Sequence, residues 1–414
     1  MELAATIIKM MGQVLVGAFT SPFFLGLWAM IFLLVFWQNK RQEKLSASFF
    51  QGRPDFSLQA SLYSSLLGLL GGIAGSVFLV FLGIDLGSIG ITALWVTALL
   101  LMLIQPRFIC FAYAAGIIAT ANLLFGFPHI CIPQLMGLVA VLHMIESLLI
   151  LLNGTFHPPA VYIKRHEQLC GGFNLQYFWP IPLLALISVG LPEAAATGLE
   201  MPSWWPLLQD YSGFTGEQAF TIVPVMAVLG YGEICTTRTP RQASRRSALL
   251  LFLFSGLLLS IAVLSSRIPV FTWLAAAFSP IGHELVVWLG MRAESRPPIY
   301  TKAEQGLMVM EVISGSSAQR AGIKSGDIIM YVNGVEVNSY GDLQELLKDG
   351  RLKLNLRIRR NERMIDLTWP PGRKRKWELI PVPEPNISSY LVWQEDRYFN
   401  LARNAWQKLK ALLA

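Results

Sequence analysis

Long runs of apolar residues dominate the first 290 positions and restrict what this chain can fold into. Of its 414 residues, 54% are hydrophobic and 14% are charged, a composition outside the range of ordinary soluble domains. Lipid offers no partners for backbone N–H and C=O groups, so such runs must form helices there. We predict an α-helical membrane bundle of about eight to ten transmembrane helices. The predicted spans are 22–38, 62–83, 88–104, 108–125, 135–152, 179–192, 219–235, 247–265 and 269–290.

Residues 3–19 have only two strongly polar interior positions, Lys9 and Gln13. They fit either a further short span or a helix lying in the membrane interface. The side of the membrane on which the N-terminus lies therefore stays open.

Basic residues fall on alternate connections between the predicted spans. These connections are 39–44, 105–107, 164–167 and 238–246. The long connection 193–218, in contrast, carries four acidic residues and no Lys or Arg. Lys and Arg accumulate in cytoplasmic loops, so we predict that the basic connections face the cytoplasm. The residues after Met291 then also face the cytoplasm, and the protein is a multi-pass protein of the cell membrane.

The composition changes after Pro297 and Pro298. Residues 299–370 alternate in the manner of strands and are interrupted by Gly and Asn-Gly turns. We therefore divide the chain into a transmembrane helical domain (1–295), a cytoplasmic module (296–370) and a tail (371–414). The tail contains a basic segment, GRKRKW, and an amphipathic helix, which suit the lipid bilayer or a partner.

The cytoplasmic module carries the most specific motif in the chain. Residues 305–334 read QGLMVMEVISGSSAQRAGIKSGDIIMYVNG. This stretch resembles a PDZ domain of the bacterial, circularly permuted type, a small α+β, barrel-like fold. The resemblance implies that a partner's peptide adds as a strand beside 307–312 and that its carboxylate meets the N–H groups of the preceding loop.

The helix 342–348 would line the pockets for the side chains of that peptide. The groove residues implied in this way are Gln305, Gly306, Leu307, Met308, Val309, Leu343, Leu346 and Leu347. For any single leucine among them, a place in the module's core is the favoured alternative.

A His-Glu pair near the end of the last apolar run raises the question of proteolysis. His283 and Glu284 begin the H-E-x-x-H pattern of intramembrane zinc proteases, but the fifth position is Val287, which cannot bind metal. We also find no distant acidic ligand and no soluble catalytic domain of the size that a PDZ-bearing serine protease requires. We therefore expect no enzymatic activity, no metal and no cofactor.

Further ionisable residues lie at membrane depth in this prediction. Together with the His-Glu pair they form a set of five: His143, Glu146, Glu233, His283 and Glu284. His143 and Glu146 share a helix face and can pair directly. One hypothesis is a metal or proton site, and the alternative, which we favour, is hydrogen bonding that fixes the packing of the bundle.

Glycines at four-residue spacing occur in the span 62–83. Gly68, Gly71, Gly72 and Gly75 permit close helix packing, either within the bundle or between two copies of the chain. A homo-oligomer therefore stays an open alternative.

Three further segments are similar to the MinJ-like membrane proteins that act as topological determinants of division in Gram-positive rods. They are GGFNLQYFWPIP (171–182), HMIESLLILLNG (143–154) and SPIGHELVVWLG (279–290). The resemblance implies a scaffold at the septum or poles that links DivIVA to MinD. Nucleic-acid binding has no supporting motif. The alternatives are a protein like an intramembrane metalloprotease or a transporter, using His143, Glu146, His283 and Glu284.

Overall fold

The computed structural model describes residues 2–50, 55–165, 167–189, 201–209, 219–348, 353–371, 378–385, 387 and 389–392. A helical N-terminal region is followed by a strand-rich C-terminal module. The helices of the first region are α1 (Glu2–Thr20), α2 (Pro22–Phe49), α3 (Ser57–Leu82), α4 (Ile91–Ile104), α5 (Phe111–Phe125), α6 (Ile132–Asn153), α7 (Pro240–Ser265) and α8 (Val270–Glu294).

Six of these helices, α1, α2, α3, α6, α7 and α8, are long and apolar enough to cross a membrane. Helices α4 and α5 are apolar but shorter. The predicted membrane bundle of several apolar helices is thus confirmed. Residues 3–19, which the sequence left open, belong to α1.

Two of the predicted spans are wrong in their secondary structure. Residues 179–192 and 219–235 were expected to be helices, whereas the chain forms strands β2 (Gln168–Val189) and β3 (Ala219–Cys235). These strands pair antiparallel from Phe173 opposite Cys235 to Val189 opposite Ala219. Pro224 contributes to the difference, because inside the second predicted span it would remove a helical hydrogen bond and clash with the preceding turn. Pairing of the two segments with each other satisfies the backbone groups of both.

Helix α3 covers the edge of β2 that faces away from β3. An added Cβ at Gly68 or Gly72 would lie 2.2 Å from the carbonyl oxygen of Pro180 or Pro182, so only glycine permits this approach. Farther along, the N–H of Leu184 donates to the hydroxyl of Ser76 at 2.8 Å. A strand edge needs such cover wherever water is absent. Gly68 and Gly72 therefore pack internally against the strand, and Gly71 packs against Ile145 and Leu149 of α6.

The core of the helical region is built around α6. Its side chains Leu135, Met136, Val139, Ile145 and Leu149 are at most 2% exposed. They pack in one cluster with residues of α3, α5, α7 and α8 and of the hairpin β2–β3. Buried residues occur on every side of α6, so this helix lies at the centre of the bundle.

The C-terminal module has its own core. Its elements are β4 (Leu307–Val312), α9 (Ser317–Arg320), β5 (Ile328–Val332), β6 (Val335–Glu336), α10 (Tyr340–Leu346), β7 (Leu354–Arg360), β8 (Arg363–Trp369) and β9 (Leu379–Pro381). The strands form a sheet with the order β8-β7-β5-β4-β9. Strand β6 pairs with β5, and Asn333 and Gly334 adopt the positive φ angles of a tight turn between them.

The module packs against the strands of the helical region. Strand β1 (Ala160–Arg165) pairs antiparallel with β2 and, on its other side, parallel with β10 (Leu391–Val392). The N–H of Gly171 donates to the carbonyl of Tyr300 at 2.8 Å, and Met310 packs where a side chain at Gly171 would stand. The long hairpin is therefore a physical link between the helices and the module.

Candidate peptide-binding groove and intramembrane polar cluster

Strand β4, predicted as the partner of an incoming peptide, separates two apolar environments. Leu307 and Val309 are buried in the core of the module, whereas Met310 is buried against the hairpin and Met308 is half-buried on that same side. Gln305, just before the strand, is exposed. The alternation follows from the two-residue period of a strand, and it assigns Leu307 and Val309 to packing.

Both edges of β4 are paired. On one side Leu307 and Met308 pair with β5, and on the other Val309, Glu311 and Val312 pair antiparallel with β9. Pairing continues to Val382, whose N–H donates to the carbonyl of Met308 at 3.0 Å. The edge expected to receive a peptide is thus covered by residues 378–384 of the same chain, here named the covering segment. These residues belong to the predicted tail (371–414).

Two carboxylates anchor the covering segment at its ends. Glu378 accepts hydrogen bonds from the Ser317 hydroxyl at 2.5 Å and from the N–H of Ala318 at 2.8 Å, at the start of α9. Glu384 accepts one from the N–H of Tyr340 at 2.5 Å, at the start of α10. Charge-assisted bonds of this kind are stronger than neutral ones, so both ends hold the segment on the module.

The loop before β4 was predicted to bind a peptide carboxylate. Its Gly306 has a φ of +84°, and an added Cβ would lie 2.6 Å from Ile328. The N–H of Gly306 donates to the side-chain oxygen of Asn338 at 3.0 Å. Close approach to a neighbouring strand explains the glycine, and a terminal carboxylate would have to compete with Asn338 for this N–H.

Helix α10 lies where the resemblance places the helix of the groove. Leu343 and, just after the helix, Leu347 are buried in the module core, and Leu346 packs against it half-buried. At the start of the helix, hydrogen bonds from the N–H groups of Asn338 and Ser339 hold the pKa of Asp342 below its usual range. The helix is thus firmly capped, and its leucines mainly fill the core.

The intramembrane histidines come together, but with a partner that the sequence did not indicate. Nε2 of His143 lies 3.1 Å from Sγ of Cys110, and Nε2 of His283 lies 3.5 Å from the same sulfur. Cysteine and histidine side chains are common metal ligands, although no metal was expected from the sequence. Cys110 is 33 and 173 residues away from the two histidines, so no spacing pattern could reveal it.

The predicted carboxylates of this cluster have other partners. Glu284 accepts a hydrogen bond from the Tyr113 hydroxyl at 2.7 Å and lies 3.4 Å from the guanidinium of Arg107. Glu233 is on strand β3 and accepts hydrogen bonds from Ser247, at 2.6 Å, and from Tyr231.

Direct pairing of His143 with Glu146 is not found in the part of the chain that the structure describes. Nδ1 of His143 instead donates to the carbonyl of Val139 at 2.7 Å. The basic segment 372–377 and the predicted amphipathic helix lie outside the described residues.

Residues 308–360 match the PDZ domain family. Over 205 residues, 26% are identical to the cell division topological determinant MinJ of Bacillus subtilis, covering 48% of each chain. The mitochondrial serine protease HTRA2 of Drosophila virilis is 26% identical over 103 residues, which are 25% of this chain and 24% of the protease. The protein named putative serine protease HhoA of Synechocystis is 34% identical over 73 residues, which are 17% of this chain and 18% of that protein.

The similarity to the proteases is located at the PDZ region. The chain spans about half the length of MinJ and a quarter or less of each protease. The six long apolar helices found among the described residues fit a membrane protein. The chain therefore carries a PDZ domain behind a set of apolar helices and is similar, over about half its length, to a bacterial cell division topological determinant.

Proposed function

We propose that this protein is a membrane-anchored adaptor that recruits protein partners through its PDZ domain during placement of the division site. The observation that carries the proposal is the combination of a PDZ domain with apolar helices in a chain similar to MinJ. PDZ domains bind peptides by adding a strand to a sheet edge. The partners would be division proteins of the DivIVA and MinD kinds, bridged at the septum or poles.

The module would face the cytoplasm. Its contacts support this orientation, because it packs against the end of the bundle at which the basic connections lie. Arg165 donates to the carbonyl of Arg296, and the N–H of Ile299 donates to the carbonyl of Thr236. Basic residues at one end of a bundle favour the cytoplasmic side.

Partner binding at β4 requires the covering segment to leave. A peptide strand can take the position of β9 only after residues 378–384 have separated from β4. The apparent affinity for a partner is then reduced by the fraction of molecules in which the edge is open. Any signal that releases Glu378 or Glu384 would increase this fraction, so the adaptor could be switched.

Proteolysis finds less support. The similarity to serine proteases is located at the PDZ region, a binding domain that such enzymes carry beside their catalytic domain. We therefore propose a binding role in preference to an enzymatic one.

A disulfide that locks β9 onto β4 tests the role of this edge. Glu311 and Ile380 are opposite each other in the antiparallel pair, so Glu311→Cys with Ile380→Cys can form a cross-strand disulfide. With the full-length protein in nanodiscs, we expect the oxidised form to lose binding of purified DivIVA and MinD. Reduction with dithiothreitol should restore the binding.

The matched control is a second cross-strand pair in the same sheet. Arg357→Cys with Asp366→Cys joins β7 to β8 and leaves β9 unlocked, so its oxidation should not change binding. Binding that persists in the oxidised β4–β9 form would refute the role of the β4 edge. Absence of binding in the unmodified protein would refute the choice of partners.

A further inference from the structure

Three potential metal ligands from separate elements meet inside the helical region. Cys110 immediately precedes α5, His143 lies in α6 and His283 lies in α8. Their ligand atoms all lie within 4.8 Å of one another. Among the described residues, this is the cluster of His, Cys, Asp and Glu side chains with the geometry to hold a metal ion.

Close packing of α5 against α8 brings the cysteine to the histidines. An added Cβ at Gly116 would lie 2.4 Å from Pro280 and 2.9 Å from the carbonyl oxygen of Ala276, so the two helices touch at this glycine. The hydroxyl of Ser279 donates to the carbonyl of Ala112 at 2.8 Å, one turn before His283. The position of the cluster is therefore fixed by backbone contacts.

The hydrogen bonding of His143 suits a metal ligand. Its Nδ1 carries the proton, because it donates to the carbonyl of Val139 at 2.7 Å. The lone pair of Nε2 consequently faces Sγ of Cys110. Histidines that bind metals usually donate the other ring N–H to a carbonyl or carboxylate in this way, which fixes both tautomer and orientation.

Sγ of Cys110 contacts Nε2 of both histidines. Without a metal, the thiol donates its single proton to His143, and His283 has to donate its own Nε2–H to the sulfur, which is a weak acceptor. A cation between the three ligand atoms would instead bind the sulfur and both Nε2 atoms together. Nδ1 of His283, which is buried and has no hydrogen-bond partner among the described residues, is unpaired in either arrangement.

The distances agree with a tetrahedral zinc ion. Zn–S and Zn–N bonds of about 2.3 and 2.0 Å place sulfur and nitrogen about 3.5 Å apart at the tetrahedral angle. The observed separations are 3.1 and 3.5 Å. Zinc binds well to thiolate and imidazole ligands, whereas harder cations such as Mg²⁺ and Ca²⁺ prefer carboxylate and carbonyl oxygens.

Aromatic rings pack beside the cluster, in which His143 is buried and Cys110 and His283 are half-buried. The ring of Phe254 packs edge-on against both histidine rings, with centroids 5.5 and 5.7 Å away. The ring of Tyr113 packs against His283 at 5.1 Å, while its hydroxyl donates to Glu284. Apolar rings next to the ligands lower the local polarity and so strengthen metal–ligand attraction.

We propose that Cys110, His143 and His283 bind one zinc ion inside the helical region. Three protein ligands leave a fourth position, and Glu146 follows His143 by one turn on the same face of α6. The ion would hold α5, α6 and α8 in register. The three ligands lie outside the PDZ domain, so a negative result for zinc would not bear on the adaptor role.

The test is the metal content of the full-length protein, purified in detergent with an affinity tag that contains no histidines. After equilibration with zinc and removal of excess, mass spectrometry of the metals should find about one zinc per chain. The variants Cys110→Ser, His143→Gln and His283→Gln should each lose at least nine-tenths of it. Cobalt in place of zinc should give an intense sulfur-to-cobalt absorption that Cys110→Ser abolishes.

The controls use residues of the same type outside the cluster. Cys131 precedes α6 as Cys110 precedes α5, so Cys131→Ser is matched in position, and His129→Gln replaces an exposed histidine. Both should keep the full zinc content. Unmodified protein that retains no zinc, or cluster variants that elute as monodisperse protein and keep it, would overturn the proposal. Copper bound in place of zinc would overturn the choice of metal.

Discussion

One buried carboxylate with several hydrogen-bond donors lies in the helical region, and another lies in the C-terminal module. Glu294, at the end of α8, is 4% exposed and accepts hydrogen bonds from the backbone and hydroxyl groups of Thr236 and Thr237. In the module, Asp327 is 1% exposed and is bound by Arg360 through two contacts of 2.6 and 2.7 Å. Buried charges require such partners, because leaving one unpaired is very unfavourable.

Asp327→Asn should strongly destabilise the module. The change leaves the guanidinium of Arg360 without its counter-charge, and breaking a buried ion pair in this way costs about 3 kcal/mol or more. We expect faster hydrogen exchange of the β5 and β7 amides in the full-length protein. Asp366→Asn, which breaks the exposed pair with Arg357, is the matched control and should leave these rates nearly unchanged. Equal effects of the two changes would contradict the prediction.

At the level of elements, the contact between α3 and β2 depends on two glycines and one serine of the helix. Glycines every fourth residue place the helix backbone directly on the strand, and Ser76 satisfies one of the strand's N–H groups. The spacing of the glycines could be read from the sequence as a close-packing face. Its partner could not, because the same spacing serves helix–helix and helix–strand contacts equally.

Alanine at these glycines should separate the helix from the strand. In Gly68→Ala or Gly72→Ala the new methyl group would meet a carbonyl oxygen 2.2 Å away, and the required shift should cost about 1–3 kcal/mol. We expect a lower Tm of the detergent-solubilised protein. Gly256→Ala in α7, where nothing lies within 4 Å, is the control and should keep or raise the Tm. A fall in Tm for Gly256→Ala alone would argue against the contact.

For the whole molecule, the hairpin β2–β3 replaces two predicted crossings without changing their number. It runs out and back, as the two predicted helices would have done, so the charge-based prediction for α7 and α8 is the same with either structure. The predicted topology thus does not depend on whether these segments are helices or strands.

Cysteine labelling in intact cells tests this topology. Ser203→Cys lies in an exposed segment between β2 and β3, and Lys348→Cys lies on the surface of the module. A membrane-impermeant maleimide should label Ser203→Cys in intact cells and Lys348→Cys only after permeabilisation. The unsubstituted protein gives the background from the native cysteines. The opposite pattern would place the module outside the cell.

The sequence by itself determined the membrane bundle and the PDZ domain. Apolar runs leave helices as the main solution in lipid, and the residues 321–334 carry a motif whose turns and strands are local. Tertiary structure decided what depends on distant contacts: the hairpin in place of two helices, the covering segment on β4, and the meeting of Cys110 with two histidines. Pairing and packing between residues far apart in the chain leave no periodic pattern in the sequence, which is why only the folded chain displays them.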